Sequence, residues 1–174
     1  MFVRFHFKTA QVIAIDVNTG TAIWRTQLGY INAGETITGA PLVAKGRVYI
    51  GNSGGEVGVR GWLTALDENT GKLIWRAYNA GPDKDVLIGP SFKPFYASDK
   101  GTDLGAASWP TDAWKIGGGT AWGWVNYDAD FDSIYYGVGN PGPWNQEQRP
   151  GDNKWTPGVS ILPRASTSRR GGRS

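Results

Sequence analysis

Short apolar segments alternate with turn-forming residues along most of the chain. The segments Val12–Ile15 and Trp62–Leu66 are each followed by an aspartate, and an Asp-x-Asn-Thr-Gly turn then leads into a second apolar segment that ends in Trp-Arg. Glycine in such a turn supplies a positive φ, which lets the chain reverse direction tightly. This pattern predicts antiparallel β-hairpins and an all-β fold.

The same hairpin sequence occurs twice. Residues 14–24 read AIDVNTGTAIW and residues 65–75 read ALDENTGKLIW, and both tryptophans are predicted to pack equivalently between successive units. Residues 127–137 (YDADFDSIYYG) resemble a looser third copy, and residues 41–51 (PLVAKGRVYIG) predict another hairpin with its turn at Lys45-Gly46. Hairpin units repeated at a spacing of about 50 residues are typical of the blades of a β-propeller.

Three regions depart from this repeat. Residues 79–116 have weaker periodicity and predict a long loop excursion with a helical turn near residues 83–88, which suits either a functional loop or a plain surface insertion. Residues 1–11 predict a frayed N-terminal segment, and residues 157–174, rich in Ser, Arg and Gly, predict a disordered basic tail. The remaining residues 12–156 make about three blades, which cannot close a ring, so the sequence predicts a partial propeller that belongs to something larger.

Composition excludes several classes of protein. With 40% hydrophobic and 13% aromatic residues, the chain is too apolar for an intrinsically disordered protein. No apolar run approaches the length of about 18 residues that a membrane-spanning helix requires. The chain has no cysteine, which excludes internal disulfides, and its start, MFVRFHFKTAQ, lacks the apolar core of a secretory signal.

The net charge does not indicate a nucleic-acid-binding surface. The chain has 18 basic and 15 acidic residues, a net charge of +3 and a pI near 9.2. Four of the basic residues lie in residues 157–174, which contain no acid, so the rest of the chain has 14 basic and 15 acidic residues. Because the excess positive charge belongs to the predicted tail, no nucleic-acid partner is expected.

Most of the residue sets that enzymes commonly use are missing. The single histidine, His6, lies in the N-terminal segment that is predicted to be frayed. A pair of histidine metal ligands and a serine–histidine triad are therefore not available. Residues 117–119 are three glycines, but the Gly-Lys-Ser/Thr of a phosphate loop does not follow them. Asp128, Asp130 and Asp132 resemble half of a calcium loop that lacks its glycine and terminal glutamate, so they are interpreted as a solvated turn.

Four segments carry a resemblance to a known family. They read TITGAP (36–41), GNSGGEVGVRGW (51–62), KIGGGTAWGW (115–124) and GVGNPGPWNQEQRPGDNKWT (137–156). In this order they resemble the pyrroloquinoline quinone-dependent alcohol dehydrogenases, in particular the large subunits of methanol dehydrogenases, from about Val12 to Thr156. The resemblance implies an eight-bladed propeller, of which this chain holds about three blades, with the quinone and a metal ion on the central axis.

The resemblance also implies roles for individual residues. Glu56 and Asn140 resemble metal ligands, and carboxylate and amide oxygens suit a hard cation. Trp122 resembles the indole that stacks against the planar quinone. The remaining candidates resemble residues that contact the carboxylates of the quinone, through a hydroxyl group or through close approach of the backbone: Thr38, Ser53, Thr120, Gly54 and Gly55.

Each of these roles has a structural alternative. Glu56 could be a solvated acid at a strand end, and Asn140 could be a turn former before proline. Trp122 could be a packing residue of the propeller, as Trp24 and Trp75 are expected to be. Arg60 is interpreted as a structural residue that pairs with an acid of the excursion.

The metal is expected to be Ca²⁺ or a lanthanide ion. Gly55 and Gly142 stand where the calcium enzymes of the family more often carry alanine, which favours the lanthanide-dependent branch. No catalytic residue is expected in this chain, because the family's catalytic aspartate belongs to a part beyond residue 156 and its disulfide to a part before residue 1. Residues 157–174 do not continue the family's sequence and are interpreted as not native to it.

The expected function is that of a fragment of a quinoprotein methanol dehydrogenase, inactive alone. The family implies a periplasmic enzyme, oligomeric in its parent form, that oxidises small alcohols such as methanol and passes electrons to a cytochrome c. Two alternatives stay open: a non-enzymatic β-propeller scaffold of the outer-membrane assembly type, and an expressed fragment without a function. A scaffold gives no reason to hold Glu56, Trp122 and Asn140 together, so these three residues distinguish the dehydrogenase from the scaffold.

Overall fold

Three antiparallel sheets make up the structure, a computed structural model that describes residues 1–6, 9–90 and 92–163. The first sheet comprises β1 (Phe2–His6), β2 (Gln11–Ile15) and β3 (Ala22–Gln27). The second comprises β4 (Leu42–Ala44), β5 (Arg47–Gly51), β6 (Trp62–Asp67) and β7 (Leu73–Tyr78). The third comprises β8 (Val125–Asp128), β9 (Ser133–Val138) and β10 (Gly158–Pro163). In every sheet, strands that are consecutive in the chain lie side by side.

Asp-x-Asn-Thr-Gly turns close the hairpins β2–β3 and β6–β7, as predicted. In each turn the aspartate carboxylate accepts hydrogen bonds from the backbone N–H groups two and three residues further on, at 2.8–3.1 Å. Gly20 and Gly71 take the left-handed conformation, with φ of +71° and +69°. The strand register also shifts at equivalent points, after Ala14 and after Ala65. The two hairpins are therefore structural as well as sequence repeats.

Trp24 joins the first sheet to the second. Its side chain is 8% exposed and packs on Gly71, where a β-carbon would lie 2.5 Å from the indole ring. Its Nε1 donates to the carbonyl oxygen of Glu68 at 2.9 Å, and Thr26 Oγ1 donates to that of Gly71 at 2.7 Å. The tryptophan of one hairpin thus packs into the turn of the next.

Trp75 occupies the equivalent position between the second and third sheets. It is 7% exposed, and its ring centroid lies 6.0 Å from that of Tyr49. The same buried cluster contains Ile134, Tyr136 and Leu162 of the third sheet. The predicted burial of both repeat tryptophans is confirmed.

The hairpin β8–β9 holds a different place in its sheet from the two tryptophan hairpins. β8 is the first strand of its sheet and contacts β4, the first strand of the second sheet, so β8–β9 corresponds to β4–β5. Asp128 still accepts two backbone N–H hydrogen bonds, at 2.9 and 3.1 Å, and Asp132 takes a positive φ of +45° where the tryptophan hairpins have glycine. An aspartate can close any tight hairpin in this way. The turn sequence of residues 127–137 therefore does not specify which hairpin of a blade it closes.

The excursion after β7 contains short helices. Helices α1 (Asp83–Val86) and α2 (Leu104–Ala107) have four residues each, and 3₁₀ turns span Ala97–Asp99 and Ala113–Ile116. Helix α1 lies where the sequence predicts a helical turn. Among the described residues, no helix has the length and apolar character needed to cross a membrane.

Strand β1 differs from the frayed segment that the sequence predicts for residues 1–11. It pairs with β2 in antiparallel register, from Phe2 opposite Ile15 to His6 opposite Gln11. Without this pairing, β2 would leave a row of backbone N–H and C=O groups unpaired beside its own buried side chains. Residues 7 and 8 lie outside the described part of the chain.

Strand β10 differs in the same way from the disordered tail that the sequence predicts for residues 157–174. It pairs with β9 along its six residues and buries Ser160 and Leu162, two positions apart on one face. A strand of this length needs only an alternating pattern and a free edge to pair with. The Ser- and Arg-rich composition comes mainly from residues 164–174, which lie outside the described residues.

The predicted all-β partial propeller is confirmed, with about three blades. One four-stranded sheet lies between two three-stranded sheets, and the three do not close into a ring. A buried cluster that includes Val12, Trp24 and Ile50 joins the first and second sheets, and the cluster around Trp75 joins the second and third. The sheets are therefore held together mainly by apolar side chains between them.

The aspartate turns are expected to make the stability of the chain depend on pH. The hydroxyl and the backbone N–H of Thr70 hold the pKa of Asp67 below its ordinary value, and the backbone N–H groups of Asn18 and Thr19 lower the pKa of Asp16. A carboxyl whose pKa is lowered on folding stabilises the folded state above its ordinary pKa of about 3.9, and this contribution is lost as the pH falls through the folded-state pKa.

The melting temperature, followed by circular dichroism, should therefore fall as the pH is lowered from about 5 to about 3. Asp67→Asn keeps an oxygen that can accept these hydrogen bonds but removes the titration, so the variant should show a smaller fall. The same pH dependence in both proteins would contradict this account of the turn.

Candidate functional site

Three loop segments meet at one end of the second and third sheets. They are residues 52–61 after β5, residues 117–124 before β8 and residues 139–142 after β9. The middle segment is hydrogen-bonded to both others: the N–H of Gly61 donates to the carbonyl oxygen of Gly118 at 2.7 Å, and the N–H of Gly119 donates to that of Asn140 at 3.0 Å. Segments distant in sequence thus form one continuous surface.

Glycines allow this close approach of backbone to backbone. A β-carbon on Gly61 would lie 1.9 Å from the carbonyl oxygen of Gly119, and one on Gly51 would lie 2.2 Å from that of Ala121. Both distances are far below van der Waals contact. The glycine-rich sequence around the site therefore has a structural role in joining the segments, whatever the surface binds.

Thr38 and Ser53 lie side by side. The N–H of Ser53 donates to the carbonyl oxygen of Thr36 at 2.8 Å, and Thr36 and Ser53 form an isolated antiparallel bridge. The hydroxyl oxygens of Thr38 and Ser53 are 2.5 Å apart. Thr38 is exposed and Ser53 is buried, so one hydroxyl faces solvent while the other supports it.

Glu56 lies on a 3₁₀ turn, Gly55–Val57, with its side chain exposed. The turn begins at Gly54, whose φ is +104°, and a β-carbon there would lie 2.2 Å from the carbonyl oxygen of Gly34. The local requirement for glycine at position 54 is therefore the left-handed backbone and the contact with Gly34.

The turn that carries Glu56 touches both other segments. A β-carbon on Gly55 would lie 3.2 Å from Gly118 Cα and 3.3 Å from Thr120 Oγ1, and one on Gly142 would lie 3.0 Å from the carbonyl oxygen of Gly55. Alanine at either position would need a shift of a few tenths of an ångström in its neighbours. The two glycines singled out in the sequence thus lie against each other.

Trp122 and Asn140 both expose their side chains at this surface. Trp122 is 59% exposed, and its Nε1 lies 3.3 Å from the β-carbon position of Gly139. The Nδ2 of Asn140 donates to the carbonyl oxygen of Pro141 at 3.2 Å, an arrangement that leaves the amide oxygen to accept a hydrogen bond or to bind a cation. Trp122 therefore does not pack in the core as Trp24 and Trp75 do.

The structure brings the predicted site residues onto contacting segments. It shows direct contact between Thr38 and Ser53 and a close approach of Gly55 to Thr120, and it places the segments of Glu56 and Asn140 side by side. Across residues 1–6, 9–90 and 92–163, no three His, Cys, Asp or Glu side chains gather as a metal site. The oxygen donors present fit a hard cation, but they would supply only part of the about six to eight ligands that such an ion takes.

Asn79 supports the middle segment, a role that the sequence does not reveal. This buried side chain donates from Nδ2 to the carbonyl oxygen of Gly119 at 2.8 Å and accepts at Oδ1 from the hydroxyl of Tyr136 at 2.9 Å. Both partners are far from Asn79 along the chain, so only a weak turn-forming signal marks this residue.

An ion pair between Lys154 and Asp99 connects the segment beyond Asn140 to the excursion. Lys154 Nζ donates to Asp99 Oδ1, and both side chains are buried. The indole Nε1 of Trp109 donates to the carbonyl oxygen of Lys154 at 2.7 Å. The excursion thus braces the segment that follows the site.

Comparison with known proteins places this chain among two kinds of relatives. A family profile for the outer membrane protein assembly factor BamB matches residues 2–108. Methanol dehydrogenase [cytochrome c] subunit 1 from Methylobacterium organophilum is 52% identical over 145 residues, which cover 83% of this chain and 23% of that protein. Lanthanide-dependent methanol dehydrogenase from Methylacidiphilum fumariolicum (strain SolV) is 51% identical over 147 residues, which cover 84% and 24%.

Solved structures agree with the sequence relatives. A europium-containing methanol dehydrogenase superposes with a TM-score of 0.92 at 45% identity, over 97% of this chain and 29% of that chain. The chain therefore spans about a quarter of the length of the curated relatives it matches.

Proposed function

Because the chain belongs to the family of pyrroloquinoline quinone-dependent alcohol dehydrogenases, we propose that it forms one wall of a quinone and metal site in an enzyme that oxidises methanol. The observation that carries this proposal is the meeting of residues 52–61, 117–124 and 139–142 at one surface. That surface presents hydroxyl, carboxylate, amide and indole groups together, which is the donor set that a planar polar cofactor and a hard cation require.

The quinone would lie against the exposed face of Trp122. An indole that is 59% exposed on an otherwise ordered segment offers a large flat apolar surface for stacking. The hydroxyl groups of Thr38, Ser53 and Thr120 would donate to its carboxylates, and the backbone at Gly54 and Gly55 would approach them. When bound, the quinone supplies the two-electron oxidation of the alcohol.

The metal would be held by Glu56 and Asn140, whose segments lie side by side. We favour a lanthanide ion over Ca²⁺, because Gly55 and Gly142, which stand where the calcium enzymes more often carry alanine, lie against each other, and a methyl group at either position would require its neighbours to shift by a few tenths of an ångström. The remaining ligands would come from other parts of the enzyme or from water. The chemistry that an ion held by these residues would supply is that of a Lewis acid.

The relatives suggest an electron acceptor, a compartment and an oligomeric state for the whole enzyme. One of them is named for cytochrome c, so we propose a cytochrome c as electron acceptor, in the periplasm, with an enzyme that forms oligomers of itself. Since the chain spans about a quarter of the relatives' length, we expect no methanol oxidation by this chain alone.

The alternative of an assembly scaffold has less support. The BamB profile ends at residue 108, before the segments that carry Thr120, Trp122 and Asn140. A scaffold gives no reason for an exposed indole, a carboxylate and an amide to share one surface. The dehydrogenase relatives also cover 83–84% of the chain, more than the profile does.

Titration with Tb³⁺ tests the proposed metal site in the chain as it stands. Bound Tb³⁺ luminesces when a nearby tryptophan transfers energy to it, and we expect Trp122, which is exposed at the same surface, to be that tryptophan. Glu56→Gln removes the charged ligand and should weaken Tb³⁺ binding by about tenfold or more, which corresponds to about 1.4 kcal/mol. Its melting temperature should stay that of the wild type, because the side chain is exposed.

Glu147→Gln is the matched control for this titration. Glu147 is also an exposed glutamate on a 3₁₀ turn, Gln146–Gln148, but lies outside the proposed site. The variant should bind Tb³⁺ as the wild type does. Equal losses in Glu56→Gln and Glu147→Gln, or no loss in either, would rule out a specific site at Glu56.

A further inference from the structure

Arg60 has a guanidinium group that contacts several segments other than its own. Its Nε and Nη2 both donate to the carbonyl oxygen of Ala80, at 2.9 and 2.6 Å, and Nη2 also donates to Asp85 Oδ2 at 2.8 Å. The guanidinium carbon lies 3.9 Å from the ring centroid of Tyr78 and 4.6 Å from that of Trp114. With 15% of the side chain exposed, these contacts are largely shielded from water. The predicted pairing of Arg60 with an acid of the excursion is confirmed.

The backbone of Arg60 belongs to the candidate site. Arg60 forms a parallel bridge with Gly118, and the following residue, Gly61, donates its N–H to the carbonyl oxygen of Gly118 at 2.7 Å. The carbonyl oxygen of Arg60 accepts from Nδ2 of Asn52 at 3.0 Å. The residue therefore lies on the segment that carries Glu56 and touches the segment that carries Thr120.

Trp114 gives the guanidinium a second connection to that segment. It lies in the 3₁₀ turn Ala113–Ile116, directly before the three glycines. A β-carbon on Gly81 would lie 2.1 Å from Arg60 Nη2 and 2.9 Å from the ring of Trp114, so Gly81 leaves the space that the guanidinium occupies. Arg60 thus contacts residues 117–119 through its backbone and the preceding turn through its side chain.

We propose that Arg60 is a positioning residue, which holds the turn of Glu56 against the segment of Thr120 and Trp122. This inference rests on the proposed function, because it makes Arg60 act on the metal through Glu56. A planar fork of N–H donors can bind a carbonyl and a carboxylate while it stacks on aromatic rings, and an ammonium group cannot. Loss of a residue that orients a metal ligand typically weakens metal binding by about 10–100-fold.

Arg76 provides a matched control. Its guanidinium carbon lies 4.1 Å from the ring centroid of Trp62, and its Nη2 donates to the carbonyl oxygen of Leu28 at 2.7 Å. It therefore shares with Arg60 the stack on an aromatic ring and the hydrogen bond to a carbonyl oxygen, but not the ion pair, and it connects β7 to the chain after β3. Arg76→Met removes an arginine–indole stack without touching residues 117–124.

The first measurement is the affinity for Tb³⁺ of the full chain and its variants, at a temperature where circular dichroism shows each of them folded. Arg60→Met should weaken binding by about tenfold or more, and Arg60→Lys by less, since lysine keeps the positive charge and N–H donors but loses the planar fork that stacks on the rings. Arg76→Met should stay within about twofold of the wild type. If Arg60→Met acted only through a general loss of stability, Arg76→Met would weaken Tb³⁺ binding as much as Arg60→Met does.

The second measurement needs no metal. Hydrogen–deuterium exchange in residues 53–61 and 115–124 should be faster in Arg60→Met than in the wild type and unchanged in Arg76→Met. Unchanged exchange in Arg60→Met, or equal effects in the two variants, would overturn the proposal.

Failure of the proposed function is distinguishable from failure of this inference. If the wild type shows no binding of Tb³⁺ that depends on Glu56, the proposed metal site is wrong, and the exchange comparison alone decides whether Arg60 holds the two segments together. If Arg60→Met does not fold, Arg60→Lys takes its place in both measurements, with the same control.

Discussion

Replacing Trp24 with alanine should lower the free energy of unfolding of the chain by about 3–5 kcal/mol. The indole is 8% exposed and packs on the turn of the neighbouring hairpin at Gly71. Its Nε1 also donates to the carbonyl oxygen of Glu68, so the substitution removes apolar contact and a hydrogen bond between the first and second sheets. Urea denaturation followed by circular dichroism measures the loss.

Two further substitutions separate the contributions of the ring and its N–H group. Trp24→Phe keeps an aromatic ring but loses the N–H donor. The lost hydrogen bond should lower the free energy of unfolding by about 0.5–1.5 kcal/mol, in addition to the effect of the smaller ring on packing. Trp124→Ala is the control, because Trp124 is 83% exposed, and it should change stability by less than about 0.5 kcal/mol. Equal stability of Trp24→Ala and Trp124→Ala would mean that the two sheets do not depend on this contact.

Gly61→Ala should cost about 3 kcal/mol or more, at the upper end of overpacking substitutions. The new β-carbon would lie 1.9 Å from the carbonyl oxygen of Gly119, and neither backbone can move without breaking the hydrogen bond from the Gly61 N–H to Gly118. The substitution should also weaken Tb³⁺ binding, because it forces the segment of Glu56 away from that of Thr120. Urea denaturation and the Tb³⁺ titration measure the two effects separately.

Gly137→Ala is the matched control for this prediction. Gly137 lies in β9, and a β-carbon there would meet no atom within 4 Å. The variant should be as stable as the wild type or more stable by up to about 1 kcal/mol, because alanine restricts the unfolded chain. A loss in Gly137→Ala as large as that in Gly61→Ala would show that the close backbone approach is not the cause.

The hairpins were predictable because their information is local. Asp67 and Gly71 close their turn with hydrogen bonds and a backbone conformation that involve residues within the turn itself. The same locality explains the misplaced hairpin at residues 127–137, since Asp128 closes its turn in the same way whichever strands the hairpin pairs with. Strand neighbours depend on distant segments, which a turn sequence does not specify.

The candidate binding residues were predictable from the sequence, but most of the contacts that support them were not. The order of the four segments indicated the family and therefore the roles proposed for Glu56, Trp122 and Asn140. The role of Asn79 was not predictable, because it reaches Gly119 across a long stretch of sequence. For Arg60, the sequence predicted the pairing with an acid of the excursion but not the contact with Trp114. The structure also gives Gly54 a local reason to be glycine that the resemblance does not contain.

The sequence by itself determined the all-β class, the two tryptophan hairpins and the family, because periodicity, turn chemistry and contiguous motifs are properties of short segments. Only the tertiary structure decided that β1 and β10 complete the outer sheets, that β8–β9 is the first hairpin of its sheet, and that residues 52–61, 117–124 and 139–142 share one surface. Each of these depends on which backbone edges and faces are left unpaired elsewhere in the fold. That is a property of the whole chain, since a strand or loop settles where its hydrogen bonds and apolar side chains can all be satisfied together.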